Sequence, residues 1–325
     1  MLHTLPLPFV PYDELNGRPN IIVDGAAADG SVLTLSHWPG SETPAEFAAD
    51  TSAEIAFNYL EAANRHVQAE AVSNNHFDVD GLISCAVLSM PETMQSRREF
   101  WIDVATAGDF ERFTNRDAAR VAFAITTMST PETSPLEKSI FELPYPELCG
   151  ALYKNLLPQV VSIADELQAH RQLWEVEDSR LSESERCLDT DEVKIEDHPQ
   201  AGLAIITAPG EAELHPMSLH NRTDMPRILT CAGNDVTFRY RYESWVMFAS
   251  RPIAKRVDLA PLAKRLNELE PDESVWIADP ISGITPKLNP APGKPTSIPF
   301  DKICEIVQEH LVTAPEAWDP WSVSR

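Results

Sequence analysis

The chain has 325 residues, a length that predicts two domains, and 43% of its residues are hydrophobic, as in a globular protein. Its 26 Lys and Arg against 50 Asp and Glu give a net charge of −24, which disfavours long nucleic acid and anionic membranes as partners. Five scattered cysteines without a CxxC pair argue against a disulfide framework and a zinc site, and they indicate a reducing, cytoplasmic environment.

Short β-rich runs alternate with helical patterns in the first part of the chain. Residues 20–23 and 32–38 predict strands, and Asp50-Thr51-Ser52 forms an N-cap candidate for a helix over 53–66. The segments that follow are predicted as a strand (67–76), a tight acidic turn (78–81), a helix (81–90), a strand with its exit loop (100–110) and a helix (116–128). This alternation predicts a parallel sheet covered by helices.

The second part of the chain predicts a further α/β region. A long helical stretch at 148–186, with a break expected at Pro158, leads to an acidic segment at 187–200 that we interpret as an interdomain seam. Strands are predicted at 202–209, 236–250 and 274–279, and helices at 258–270 and 300–312. The expected fold class is therefore α/β: a parallel-sheet N-terminal domain (1–195) flanked by helices and a smaller α/β C-terminal domain (200–325). No signal peptide or transmembrane helix is predicted.

The strongest candidate for chemistry is the alternating trio His76, Asp78 and Asp80, which precedes Gly81. In an extended segment alternate side chains point the same way, so the three groups are expected to converge at the end of a strand. A mixed set of one imidazole and two carboxylates suits Mn²⁺ or Mg²⁺ better than structural zinc. The alternative interpretation is that Asp-x-Asp-Gly forms only a turn or a helix cap.

The stretch HFDVDGLIS (76–84) resembles the first motif of the DHH phosphoesterase superfamily, whose members include RecJ-like exonucleases and oligoribonucleases. The resemblance implies that His76, Asp78 and Asp80 are metal ligands for two Mn²⁺ ions that hydrolyse a phosphoester. The second motif of that family is an aspartate at the end of the next strand. Asp109 is the best match, and Asp103 is the alternative.

A second stretch, FASRPIAKRVDLAPLAKRLNE (248–268), resembles the C-terminal DHHA1 domain. This resemblance implies that Ser250 and Arg251 contact the phosphate of the substrate. The Asp-His-His third motif and the Gly-Gly-Gly-His motif are absent from the sequence. The nearest histidines are His215 and His220, which lie late in the chain.

Other polar residues allow two interpretations each. Asp24 and His37 end predicted strands, where they are either structural or face the site; for His37 beside Trp38 the structural interpretation is favoured. Arg239, Arg241 and Glu243 share one strand face, either as a phosphate clamp or as a surface salt-bridge ladder.

These features predict a metal-dependent phosphoesterase that acts on a small phosphorylated or nucleotide substrate at the domain cleft. Its metal ligands would be His76, Asp78, Asp80 and Asp109, with Mn²⁺ preferred to Mg²⁺. Asp80 and His220 would be catalytic, and Arg241, Ser250 and Arg251 would bind the substrate. A homodimer is compatible with this prediction. The alternative is a non-catalytic DHH-like scaffold that binds a nucleotide or a protein partner.

Overall fold

The fold is described from a computed structural model over residues 5–190, 192–210, 212, 214–251, 255–271 and 275–318. Contacts between Cα atoms divide the chain into two compact units. The first comprises Met1–Ser179 and Met247–Arg251, and the second comprises Arg180–Val246 and Pro252–Arg325. A short segment late in the sequence therefore belongs to the first unit.

The described residues form the following regular elements. The α-helices are α1 (Ser52–Glu61), α2 (Val79–Ser89), α3 (Pro91–Gln95), α4 (Arg98–Asp109), α5 (Arg116–Ser129), α6 (Tyr145–Leu156), α7 (Val160–Asp165), α8 (Glu175–Leu188), α9 (Pro216–His220), α10 (Ala260–Asn267) and α11 (Phe300–Thr313). The strands are β1 (Asn20–Val23), β2 (Ser31–Leu35), β3 (Ala71–Ser73), β4 (Lys194–His198), β5 (Leu203–Ala208), β6 (Arg227–Ala232), β7 (Asp235–Tyr240), β8 (Arg256–Val257), β9 (Trp276–Ala278), β10 (Lys287–Pro290) and β11 (Glu316–Trp318).

The first unit contains a three-stranded parallel sheet in the order β2-β1-β3. All four residues of the central strand β1 are buried, as expected for a parallel strand covered on both faces. Helix α2, which is buried from Val79 to Leu88, packs against α1 and α4. The predicted parallel sheet flanked by helices is confirmed, and with it the α/β fold class.

The prediction of a strand at 100–110 is wrong, because this segment lies in helix α4. Its buried residues Trp101, Val104 and Ala105 are spaced three and four apart, which places them on one face of a helix. The acidic turn predicted at 78–81 is also displaced. Asp78 is the N-cap of α2, so Asp80 and Gly81 already belong to the first helical turn.

The second unit contains a six-stranded sheet in the order β4-β5-β6-β7-β10-β9. Strands β5 and β6 are parallel, and the other neighbours are antiparallel. Residues of α10 and α11, among them Leu262 and Val307, pack against Phe238 and Leu288 in the larger hydrophobic core of this unit. The segment interpreted as an interdomain seam contains β4, which pairs along its whole length with β5.

The remaining second-half predictions agree with the structure in part. The helical stretch at 148–186 is divided after Leu156, next to Pro158, as expected. The segment 236–250 is predicted to form strands, but strand β7 ends at Tyr240. A short 3-10 helix follows from Tyr242 to Ser244. Among the described residues, no helix is both long enough and apolar enough to cross a bilayer.

The turn between α4 and α5 is held by one buried carboxylate, Asp103. Its oxygens accept hydrogen bonds from the backbone N–H groups of Thr114 and Asn115, at 2.6–3.1 Å, and from the Thr114 hydroxyl at 3.1 Å. The side chain that the sequence offered as an alternative metal ligand therefore fixes the start of α5.

We expect Asp103→Ala to lower the free energy of unfolding by about 3 kcal/mol, because it leaves several partly buried donors without an acceptor. Urea denaturation followed by circular dichroism measures the change. The control is Asp117→Ala, which removes an exposed ion pair with Arg120 and should cost less than about 1 kcal/mol. Equal denaturation midpoints for the two variants would contradict this role of Asp103.

Candidate metal centre

The carboxyl ends of the three parallel strands bring polar residues to one edge of the sheet. Asp24 directly follows β1, His37 lies two residues after β2, and Asn74 follows β3. Because the strands are parallel and adjacent, these residues meet at the edge where α/β folds usually bind ligands.

Two groups of potential ligands form at this edge and share one residue. The first group is Asp24, His76 and Asp78, and the second is Asp24, His37 and Asp80. In each group one ligand atom per residue lies within 4.8 Å of the others. Asp24 is therefore central to the cluster, and it is fully buried with a backbone φ of 47°, a conformation that aspartate tolerates better than most residues.

The first group is organised around the imidazole of His76. Its Nε2 atom lies 2.8 Å from Asp78 Oδ2 and 3.3 Å from Asp24 Oδ2. Burial disfavours the charged imidazole, but the Asp78 and Asp24 carboxylates outweigh it and raise the pKa of His76 to about 11. Burial likewise opposes ionisation of Asp78, yet the charge and hydrogen bond of His76 lower the pKa of Asp78. The other oxygen of Asp78 accepts the N–H of Gly81 at 2.8 Å.

The second group is organised around His37, whose side chain is fully buried. Its Nδ1 atom lies 2.7 Å from the backbone oxygen of Asp50. A carbonyl only accepts hydrogen bonds, so Nδ1 carries a proton, and Nε2 is the ring nitrogen that faces the cluster. Nε2 faces three carboxylates: Asp109 at 3.4 Å, Asp24 at 3.5 Å and Asp80 at 3.9 Å. A carbonyl that fixes the tautomer in this way is typical of histidines that bind metals.

Asp80 is held by the first turn of helix α1. Its two oxygens accept the backbone N–H groups of Ser52 and Ala53, each at 2.7 Å. Burial, followed by the charges of Asp24 and Asp78, raises the pKa of Asp80 well above its ordinary value, although these two hydrogen bonds oppose the change. Burial and the charge of Asp78 likewise raise the pKa of Asp24. The cluster thus concentrates negative charge where solvent cannot screen it.

The predicted metal ligands His76, Asp78 and Asp80 lie close together, but they do not lie on one extended strand as predicted. Strand β3 ends at Ser73, so His76, Asp78 and Asp80 do not alternate along an extended strand. His76 and Asp78 contact each other directly, and Asp80 approaches from the first turn of α2. The expectation that alternation along one strand aligns the three side chains is wrong.

Asp109 lies beside the cluster, although it ends helix α4 and not a strand. Asp103 is absent from both ligand groups. Asp24 and His37, which sequence reasoning left as ambiguous or structural, are members of the cluster. The signal that could have identified them is their position at the carboxyl ends of predicted parallel strands.

The other predicted site residues lie in two different settings. Ser250 belongs to the first unit, where its N–H and hydroxyl each donate to the Asp50 carboxylate at 2.7 Å. Arg251 lies with its guanidinium carbon 4.2 Å from the centroid of the Phe248 ring. His220 and Arg241 belong to the second unit and are buried there.

Arg241 and His220 each have partners within the second unit. The guanidinium of Arg241 pairs with Glu243 at 2.6 Å and donates to the backbone oxygen of Thr223 at 2.9 Å. His220 Nε2 accepts from Arg239 at 2.9 Å. These contacts favour a structural role for Arg241, and they make Arg239 a partner of His220.

The cluster suits a divalent cation. Asp24 Oδ2 and His76 Nδ1 are buried atoms for which the described residues provide no well-aligned hydrogen bond. The carboxylates and two imidazoles are hard and borderline ligands, and a cation would offset their buried negative charge. The described residues therefore contain a group of Asp and His side chains that could hold a metal ion.

Fold and site together define an α/β protein with a cluster of carboxylates and imidazoles at the carboxyl ends of a parallel sheet. The chain belongs to the family of unknown function DUF6687, which matches residues 5–322. No curated protein and no solved structure matches it.

Gly81 lies where a side chain would disturb the cluster. A Cβ atom there would lie 2.4 Å from Asn74 Nδ2, 2.6 Å from Tyr153 Oη and 3.1 Å from Asp78 Oδ1. Asn74 and Tyr153 are themselves buried, so neither can easily move away. This crowding explains the glycine without any need for an unusual backbone conformation.

We expect Gly81→Ala to destabilise the protein by about 1–2 kcal/mol, because overpacking outweighs the higher helix propensity of alanine. Thermal and urea unfolding measure the change. Gly150→Ala in α6 should be milder, since its closest approach is 3.0 Å to Pro11. A stabilised Gly81→Ala protein would show that propensity dominates and that the cluster is not tightly packed at this point.

Proposed function

We propose that this protein is a metal-dependent hydrolase of the phosphoesterase type that acts on a small phosphorylated or nucleotide substrate. The observation that carries the proposal is that Asp24 is shared between two ligand groups. A carboxylate shared between adjacent ligand sets suits a centre with two metal ions, which is common in enzymes that cleave phosphoesters.

His76 and Asp78 would hold a cation on one side of Asp24, and His37 and Asp80 would hold a cation on the other. Asp109, close to His37 Nε2, would complete the second set. A divalent cation at such a site lowers the pKa of water and polarises a phosphoryl oxygen. Two imidazoles among the ligands favour Mn²⁺ over Mg²⁺, which prefers a shell of oxygen atoms.

Ser250 and Arg251 are the best candidates for contacts with the substrate. The N–H of Met247 donates to the backbone oxygen of His37 at 2.7 Å, and Ser250 is attached to Asp50. The segment 247–251 therefore contacts His37, a member of the second ligand group, and Asp50, whose backbone oxygen accepts from His37 Nδ1. The Arg251 guanidinium, a bidentate donor, is suited to bind a phosphate near the cations.

A non-catalytic binding protein is the second candidate function. It is favoured by Asp80, whose two oxygens already accept backbone N–H groups from α1. A carboxylate used in this way can serve mainly to anchor a helix. The absence of a recognisable Asp-His-His motif supports the same alternative.

Metal binding tests the centre itself. We expect Asp24→Asn to weaken Mn²⁺ binding by about a hundredfold or more, because it removes the shared ligand charge while asparagine tolerates the same backbone conformation. The measurements are metal analysis of the purified protein and Mn²⁺ titration by calorimetry. Asp103→Asn is the matched control, since this buried aspartate of the same unit lies outside both ligand groups. Equal Mn²⁺ affinity in the two variants would overturn the assignment.

Turnover separates the two candidate functions. We expect the Mn²⁺-loaded protein to hydrolyse members of a panel of phosphomonoesters and phosphodiesters. Asp80→Asn should abolish hydrolysis and Mn²⁺ binding at the second ligand group, to which Asp80 belongs. Arg251→Met should raise KM by about tenfold or more with metal content unchanged, because it removes a phosphate ligand and no metal ligand. Stoichiometric Mn²⁺ without turnover on any substrate would favour the binding protein.

A further inference from the structure

A cavity of about 260 Å³ lies on one face of the sheet in the second unit. Its polar wall is formed by Thr230 from β6, Thr237 and Arg239 from β7, and Lys287 from β10. The rest of the wall is apolar, and its largest side chains are those of Leu214, Pro216 and Leu219. The cavity thus combines two cations and two hydroxyls with a hydrophobic side.

The two cations are placed directly opposite each other. Lys287 and Arg239 are cross-strand partners in the antiparallel pair β10–β7, so their side chains project from the same face. Like charges in this position destabilise a sheet. Among the described residues, no carboxylate forms an ion pair with either side chain. The chain carries a net charge of −24, yet within the part of it that the structure describes these two cations lie together without an ion-pair partner.

The guanidinium of Arg239 is also oriented. Its Nη2 atom donates to Nε2 of His220 at 2.9 Å, and His220 is buried. Arginine has five N–H donors, and the described residues use one of them here. A buried acceptor therefore holds the group in place while its other donors are available for a ligand in the cavity.

We propose that this cavity binds a small organic anion. One oxyanionic group, a phosphate or a carboxylate, pairs with Arg239 and Lys287, and a compact apolar part packs against Leu214, Pro216 and Leu219. The volume is slightly below the usual range for drug-sized ligands, so we expect the part of the ligand within the cavity to be small. The site is independent of the metal centre and of the proposed hydrolase activity.

Calorimetry with the full-length protein, freed of metal on a chelating resin, tests the proposal with inorganic phosphate, phenyl phosphate and butyrate. Metal removal prevents the cluster around Asp24 from binding an anion through a cation. We expect saturable binding of at least one of the three ligands. Tighter binding of phenyl phosphate than of phosphate would identify a phosphate-bearing ligand with an apolar part, and binding of butyrate would identify a carboxylate.

The variants separate a ligand site from a structural role. Lys287→Met should weaken binding at least tenfold, because it removes one of two cations that contact the anion. Lys287→Arg should retain most of the affinity. Lys194→Met is the matched control: it removes the same charge from an exposed position on β4, at the opposite edge of the same sheet, and should leave binding unchanged. No saturable binding by any of the three ligands, or equal losses in the Met variants, would overturn the proposal.

Discussion

The structure of the first unit depends on the burial of carboxylates at the end of its parallel sheet. Asp24 and Asp80 are completely buried, Asp78 lies beside His76, and Asp109 lies beside His37. Several nearby like charges in a low dielectric are costly, so each must be matched by donors or by a cation. The positions of the surrounding helices follow from this requirement.

Two helix N-termini supply part of the compensation. The first turn of α1 donates two N–H groups to Asp80, and the first turn of α2 donates one to its own N-cap, Asp78. Unpaired amides at a helix start carry partial positive charge, which stabilises an adjacent carboxylate. Asp80 therefore links the start of α1 to α2, and the two helices converge on Asp24, which accepts from the Ser52 hydroxyl at 2.7 Å. The same contacts that stabilise the fold also position the potential metal ligands.

Local sequence patterns predicted the elements around this centre but not how they meet. The strands β1 and β2 follow from β-branched runs, and the start of α1 follows from Thr51. The role of Asp78 as the N-cap of α2 is the alternative interpretation of the Asp-x-Asp-Gly sequence. Helix α4 is not predicted because Phe100, Trp101, Ile102 and Val104 have high β-propensity. In the structure the segment is helical, and its buried residues are spaced so that they lie on one face of the helix. The roles of Asp24 and His37 depend on the pairing of β1 with β2, a tertiary contact that no local window contains.

Basic residues that are close in sequence have different partners in the structure, as Arg241 and Arg256 illustrate. Arg241 pairs with buried Glu243, and Arg256 donates to the backbone oxygens of Ile281 and Ile284. Burial lowers the pKa of Arg256 to about 10. Its guanidinium nevertheless donates hydrogen bonds to these backbone oxygens and to the Ser244 hydroxyl. The residues that suggest one phosphate clamp in sequence therefore separate in the structure: Arg241 makes internal contacts, whereas Arg239 lines the cavity. In a chain of net charge −24, long-range attraction of an anion is unavailable. Any anionic ligand must be bound by such local cations, or by metal ions at the carboxylate cluster, at distances within which salt screens little.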